Sequence, residues 1–110
     1  MRRVLVDLLQ STGTKGGIEV YARELYTAIG GIDSDFEFVA FASRELAAAG
    51  TSWFPGEVVD SGISGENRLT WAAGELFAVS RAARRLGAHL IHGPAMFGPL
   101  RSSVPVVISV

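Results

Sequence analysis

Val4-Leu5-Val6-Asp7-Leu8-Leu9 is followed by a loop, Gln10 to Gly17, that ends Gly13-Thr14-Lys15-Gly16-Gly17, and then by Ile18-Glu19-Val20-Tyr21. The first run is apolar, partly β-branched and nearly continuous, which is the pattern of a strand buried on both faces. Beyond the glycines, Ile18, Ala22, Leu25 and Ile29 recur at helical spacing, with Glu19 and Arg23 at the supportive i,i+4 step. A glycine pair between a strand and a helix leaves backbone N–H groups with no Cβ in front of them. The helix N-terminus behind the pair carries partial positive charge, so the turn suits an anion, most often a phosphate. A tight turn that packs helix close to strand would use the same glycines.

The alternation continues outward from this unit. Phe36 to Phe41 reads as a second strand, and Ser43 as the cap of a short helix over 44–49 stopped by Gly50. Gly30-Gly31 ends the first helix. Glu57 to Asp60 reads as a weak edge strand, and Ser61 to Gly65 as a flexible polar link. Glu66 to Leu86 is the longest helix pattern, with Leu69, Ala72, Ala73, Leu76, Val79, Ala83 and Leu86 on one apolar face. Arg81, Arg84 and Arg85 suit its last turn, and Gly87 its cap. Ala88 to His92 and Pro105 to Val110 read as the fourth and fifth strands, joined by the loop Gly93 to Ser103. Such an order predicts an α/β fold, a parallel sheet with helices on both faces. Ligands of these sheets sit outside the carboxyl ends of the strands, at the switch point.

Bulk composition narrows the classes. The chain has 110 residues, 48% of them hydrophobic, and a net charge of −1. That suits one globular domain and carries no nucleic-acid footprint. Two local basic spots, Met1-Arg2-Arg3 and Arg81 to Arg85, read as solvated faces. With no cysteine, disulfides and thiolate metal sites are excluded. Asp7 interrupts the N-terminal apolar run, which argues against a signal peptide, and no stretch reaches the ~20 apolar residues of a membrane span. A soluble cytoplasmic setting is the expectation.

The glycine loop is neither of the familiar nucleotide motifs. Lys15 precedes the glycine pair, unlike a Walker A loop, and Gly13, Gly16 and Gly17 do not match G-x-G-x-x-G. Glu19 and Glu24 read as solvated helix carboxylates. Asp7, in a buried strand, needs partners, either structural ones or a substrate hydroxyl. His89 and His92, three apart on a strand, point to opposite faces and cannot share one metal ion. His92, just before Gly93-Pro94, lies at the expected cleft rim, as a substrate contact or a satisfied structural histidine. Trp71 reads as core or second-domain packing, and Met96-Phe97 as a loop anchor or an acceptor wall.

Three matches in order along the chain resemble the N-terminus of retaining glycosyltransferases of family 4, the GT-B-fold enzymes that use nucleotide-sugars. They are the first strand with Gly16-Gly17-Ile18-Glu19, Tyr21 and Glu24-Leu25; then Asn67-Arg68-Leu69-Thr70-Trp71; then Gly87 to Pro94 followed by Val104 to Val110. The resemblance implies a Rossmann-like acceptor domain facing a second, donor-holding domain that this chain lacks. Lys15, Gly16 and Gly17 would face the donor diphosphate. Arg68, His92, Gly93 and Phe97 would lie on the acceptor side, with no catalytic residue assigned. It implies no metal or other cofactor, because helix N-termini and basic residues take the leaving phosphate's charge. The acceptor would be a sugar, a lipid or a polysaccharide, and the full-length enzyme would lie in the cytoplasm, peripheral to a membrane. Val110 stands inside an apolar strand, so the expectation is an incomplete acceptor domain, inactive alone and prone to pair with itself through a bare strand edge. The alternative is a stand-alone, non-enzymatic flavodoxin-like interaction or regulatory module.

Overall fold

A computed structural model of the chain describes residues 2–9, 17–32, 35–65, 68–73, 77–93 and 104–108. In chain order the elements are β1 (Arg2–Leu8), α1 (Gly17–Gly30), β2 (Phe36–Ala42), α2 (Arg44–Ala49), β3 (Gly56–Asp60), α3 (Arg68–Ala73), α4 (Val79–Arg85), β4 (Leu90–Gly93) and β5 (Val106–Ile108). The strands form one sheet in the order β3-β2-β1-β4-β5, every pair parallel. This α/β arrangement is compatible with a Rossmann-like fold. Its strand order differs from the flavodoxin-like 2-1-3-4-5 of the alternative reading.

Alternation along β1 sorts the core into two layers. Val4, Val6 and Leu8 pack with Ala40, Ala42, Ala22 and Tyr26 of α1, and Leu46 of α2. Leu5 and Leu9 pack on the other side with Val39, Phe41, Ile91 and Val79, Ala82 and Ala83 of α4. A strand in the middle of the sheet, covered on both faces, explains the near-continuous apolar run. α1 and α2, which lead the chain one way from β1, lie on one face. α4, which brings it back to β4, lies on the other, as right-handed crossovers require.

Local chemistry sets the element ends. The Oγ of Ser43 accepts the Leu46 N–H at 3.1 Å and caps α2 as expected. α4 closes in a Schellman turn: Ala88 N–H donates to Ala83 C=O at 2.8 Å and Gly87 N–H to Arg84 C=O at 3.3 Å, with Gly87 at φ +69°. α1 ends at Gly30, where the glycine pair is expected to stop it, and does so without a left-handed residue. Neither residue has positive φ, and the N–H groups of Gly31 and Ile32 reach back three residues, to Ala28 and Ile29.

Two expectations are corrected. In the pattern over 66–86 the described residues form α3 and α4, with 66–67 and 74–76 outside them, and the expected apolar face is not buried throughout. Phe77-Ala78 form a π turn that leads into α4, and Leu69 is 83% exposed while Val79, Ala82 and Ala83 are buried. The Ser61 to Gly65 link, expected to be flexible, is hydrogen-bonded to the start of α2. Arg44 N–H donates to Ile63 C=O at 2.9 Å, and Gly65 N–H to Glu45 Oε1 at 2.6 Å. Burial alone would raise the Glu45 carboxyl. The bonds from Gly65, Ser64 and Arg44 outweigh that effect and hold it below its ordinary value. Among the described residues no helix is long and apolar enough to cross a membrane.

Candidate functional site

The chain winds outward from β1 through β2 to β3, then returns to place β4 on the other side of β1. The order reverses between β1 and β4, and the crevice outside their carboxyl ends is where sheets of this kind bind ligands. β1 ends at Leu8 and β4 at Gly93, with Val6 and His92 in register. Gly17 is the first residue of α1, the helix that follows β1.

Of the expected donor-side residues, Gly17 therefore opens α1, while Lys15 and Gly16 lie outside the described residues. On the acceptor side, Phe97 also lies outside them. Arg68 is the first residue of α3, its side chain outside what is described. Gly93 is the buried last residue of β4, paired with Ile108 of β5. The structure brings His92 and Gly93 to the end of β4, next to the end of β1.

His92 does not simply face the rim. Its imidazole lies on the α1 face of the sheet, where Nδ1 is hydrogen-bonded to the hydroxyl of Tyr26. The two rings are 5.8 Å apart and inclined at 46°. Burial lowers the His92 pKa and, with Tyr21 as a smaller cause, raises that of Tyr26, so both side chains are held neutral at pH 7. Tyr26 is the residue that sequence reasoning missed. It is 1% exposed and packs on Phe38 and Phe54 at ring distances of 5.5 and 5.2 Å. Its spacing, four after Ala22 and three before Ile29, was the available signal.

Below the His92–Tyr26 pair, a groove of about 240 Å³ runs along the α1 face toward the amino ends of the strands, past Ile29, Phe38, Leu90 and Val107. Among the described residues it is lined by no Asp, Glu, Lys or Arg, and it leads away from the switch point.

Asp7 is 3% exposed, and its Oδ1 accepts the Leu9 N–H at 3.2 Å, which turns the chain at the end of β1. His89 is not in a strand. It precedes β4, is exposed, and zips onto the start of β1: its Nδ1 accepts the Arg3 N–H at 3.1 Å, and its own N–H donates to Arg3 C=O at 2.7 Å. The two histidines thus serve separate structural contacts.

Neither a protein-family model, nor any curated protein, nor any solved structure matches this chain.

Proposed function

We propose that this chain is the front part of the acceptor domain of a GT-B retaining glycosyltransferase. In that reading a sugar leaves a nucleotide diphosphate and joins a hydroxyl acceptor on the same face of the anomeric carbon. The bond from that carbon to the phosphate oxygen breaks, the bond to the acceptor oxygen forms, and the acceptor proton passes to the leaving diphosphate. The observation that carries the reading is the topology. An all-parallel β3-β2-β1-β4-β5 sheet gives a switch point between β1 and β4, next to the end of the strand holding His92 and Gly93. It is further supported by the glycine-rich entry to α1, whose N-terminal amides at Gly16 and Gly17 would stabilise the charge that develops on the diphosphate. Lys15 would add a compensating charge.

Turnover would require the donor-holding domain across the cleft, because charge stabilisation and positioning come from both walls. The test is a transfer assay with a panel of nucleotide-sugars and hydroxyl acceptors. It uses this chain alone and joined to a donor domain of the GT-B type. Retained-anomer product from the joined protein and none from the chain alone is the expected result. Inverted product, or no use of any nucleotide-sugar by the joined protein, would overturn it.

A further inference from the structure

The arginine pair at the start of β1 is split between the two faces of the sheet. Arg3 turns to the α4 face, where its guanidinium donates to Leu86 C=O and engages Glu37 at 2.6 Å. By alternation Arg2 belongs to the α1 face with Val4, and it is exposed. Its register partner is Phe36. Val4 and Phe36 both line the groove below the Tyr26–His92 pair, so Arg2 stands at the mouth of that groove, at the amino ends of the strands. Among the described residues no ion pair holds Arg2, and the groove behind it is lined by no acid.

The walls of the groove are largely aromatic. Phe36 and Phe38 lie 6.3 Å apart at 36°, and Tyr26 meets Phe38 edge-on at 5.5 Å. Ile29, Leu90 and Val107 complete the lining. The volume of about 240 Å³ exceeds the ~150 Å³ in which a benzene ring is held, so the groove takes a group of one or two rings. Widening the sheet would not fill it. A right-handed connection running toward the β5 edge puts its helix on the α4 face, as α4 itself shows. An apolar slot with a cation at its mouth selects a ligand with a flat apolar body and one negative end, and a guanidinium holds a carboxylate through two parallel N–H donors. We propose that the groove binds a small aromatic carboxylate, with its rings against Phe36, Phe38 and Leu90 and its carboxylate on Arg2. The site is at the far end of the strands from the switch point, so it is separate from the proposed transfer.

The test is an NMR titration of the isotope-labelled chain with naphthylacetate, beside its neutral counterpart naphthylacetamide. The backbone amide signals of Ile29, Leu90 and Val107 should move, and those of α4 should stay in place. The acid should bind about fivefold more tightly than the amide, the worth of an exposed ion pair. Arg2→Gln should remove that preference while leaving amide binding as it was. Phe36→Ala should weaken both ligands by about three- to tenfold. Arg81→Gln, on α4, should change neither. Circular dichroism checks that each variant is folded, and the comparison of acid with amide tests the wild-type chain independently of any variant. Absence of shifts at the groove, shifts centred on α4, equal affinity for acid and amide, or a preference that survives in folded Arg2→Gln would each overturn the proposal.

Discussion

The hydroxyl of Tyr26, in the middle of α1, is hydrogen-bonded to Nδ1 of His92 in β4, 66 residues further along the chain. The bond ties the first helix to the strand across the switch point. It also decides what His92 does: its imidazole anchors α1 from inside the α1-face layer, one residue before the end of the strand.

Stability should fall as the pH drops below the ordinary histidine value of 6.5. Burial lowers the His92 pKa in the folded chain, so the unfolded chain takes up its proton first. The stabilising difference is complete above 6.5 and is lost progressively as the pH falls from there toward the lowered folded value. Urea midpoints measured from about pH 7.5 to about pH 5.5 should show the decline. His92→Gln should flatten that part of the profile, and an unchanged profile would show that His92 does not carry it.

Tyr26→Phe removes the hydroxyl and leaves the ring. It should cost about 1 kcal/mol, the net worth of one hydrogen bond. Tyr26→Ala also empties a site against Phe38 and Phe54 and should cost about 3–5 kcal/mol. Chemical denaturation of both variants checks the ratio, and equal losses would mean that the ring packing contributes little.

Gly56 pairs with Phe38 at the start of β3, and a Cβ there would stand 2.0 Å from the Phe38 carbonyl oxygen. Backbone, not a movable side chain, blocks the space. Gly56→Ala should therefore cost at least the upper part of the usual overpacking range, about 1–3 kcal/mol, and should loosen β3 first. Amide exchange along β3, compared with β1, reads the effect. Unchanged protection in β3 would contradict it.

Ser43→Ala removes the side-chain acceptor from the Leu46 N–H in a buried cap. A loss of about 1 kcal/mol is expected in thermal or urea unfolding. Ser43→Asp should restore part of it if the buried site admits the charge, and a fully neutral Ser43→Ala would show that the cap is replaceable.

In the proposed transferase, Gly17→Val places a β-branched side chain at the first residue of α1. Turnover in the two-domain protein should fall by tenfold or more, with a smaller effect on the unfolding midpoint, because in that reading the new side chain stands where the diphosphate approaches. Wild-type turnover in a folded Gly17→Val protein would remove the glycine pair from the mechanism.

Local patterns were legible wherever one short segment carried the whole signal. The apolar run through β1, the Ser43 cap, the glycine stop after Arg85 and the weak polar edge at β3 depend on neighbours a few residues away, and periodicity and capping chemistry report them directly. Alternating strands and helices also implied a parallel sheet before any coordinates. The donor-side pair Lys15 and Gly16, and the rim residue Phe97, lie outside the described residues, so their roles rest on sequence reasoning alone.

Distance along the chain marks the boundary of that reasoning. That Tyr26 meets His92, that Arg3 closes on the end of α4, and that Leu69 stands in solvent while Val79 is buried all depend on which elements become neighbours. Residue order encodes each element's periodicity. The partner of a side chain is chosen by sheet order and helix phase, and these emerge only when the elements pack.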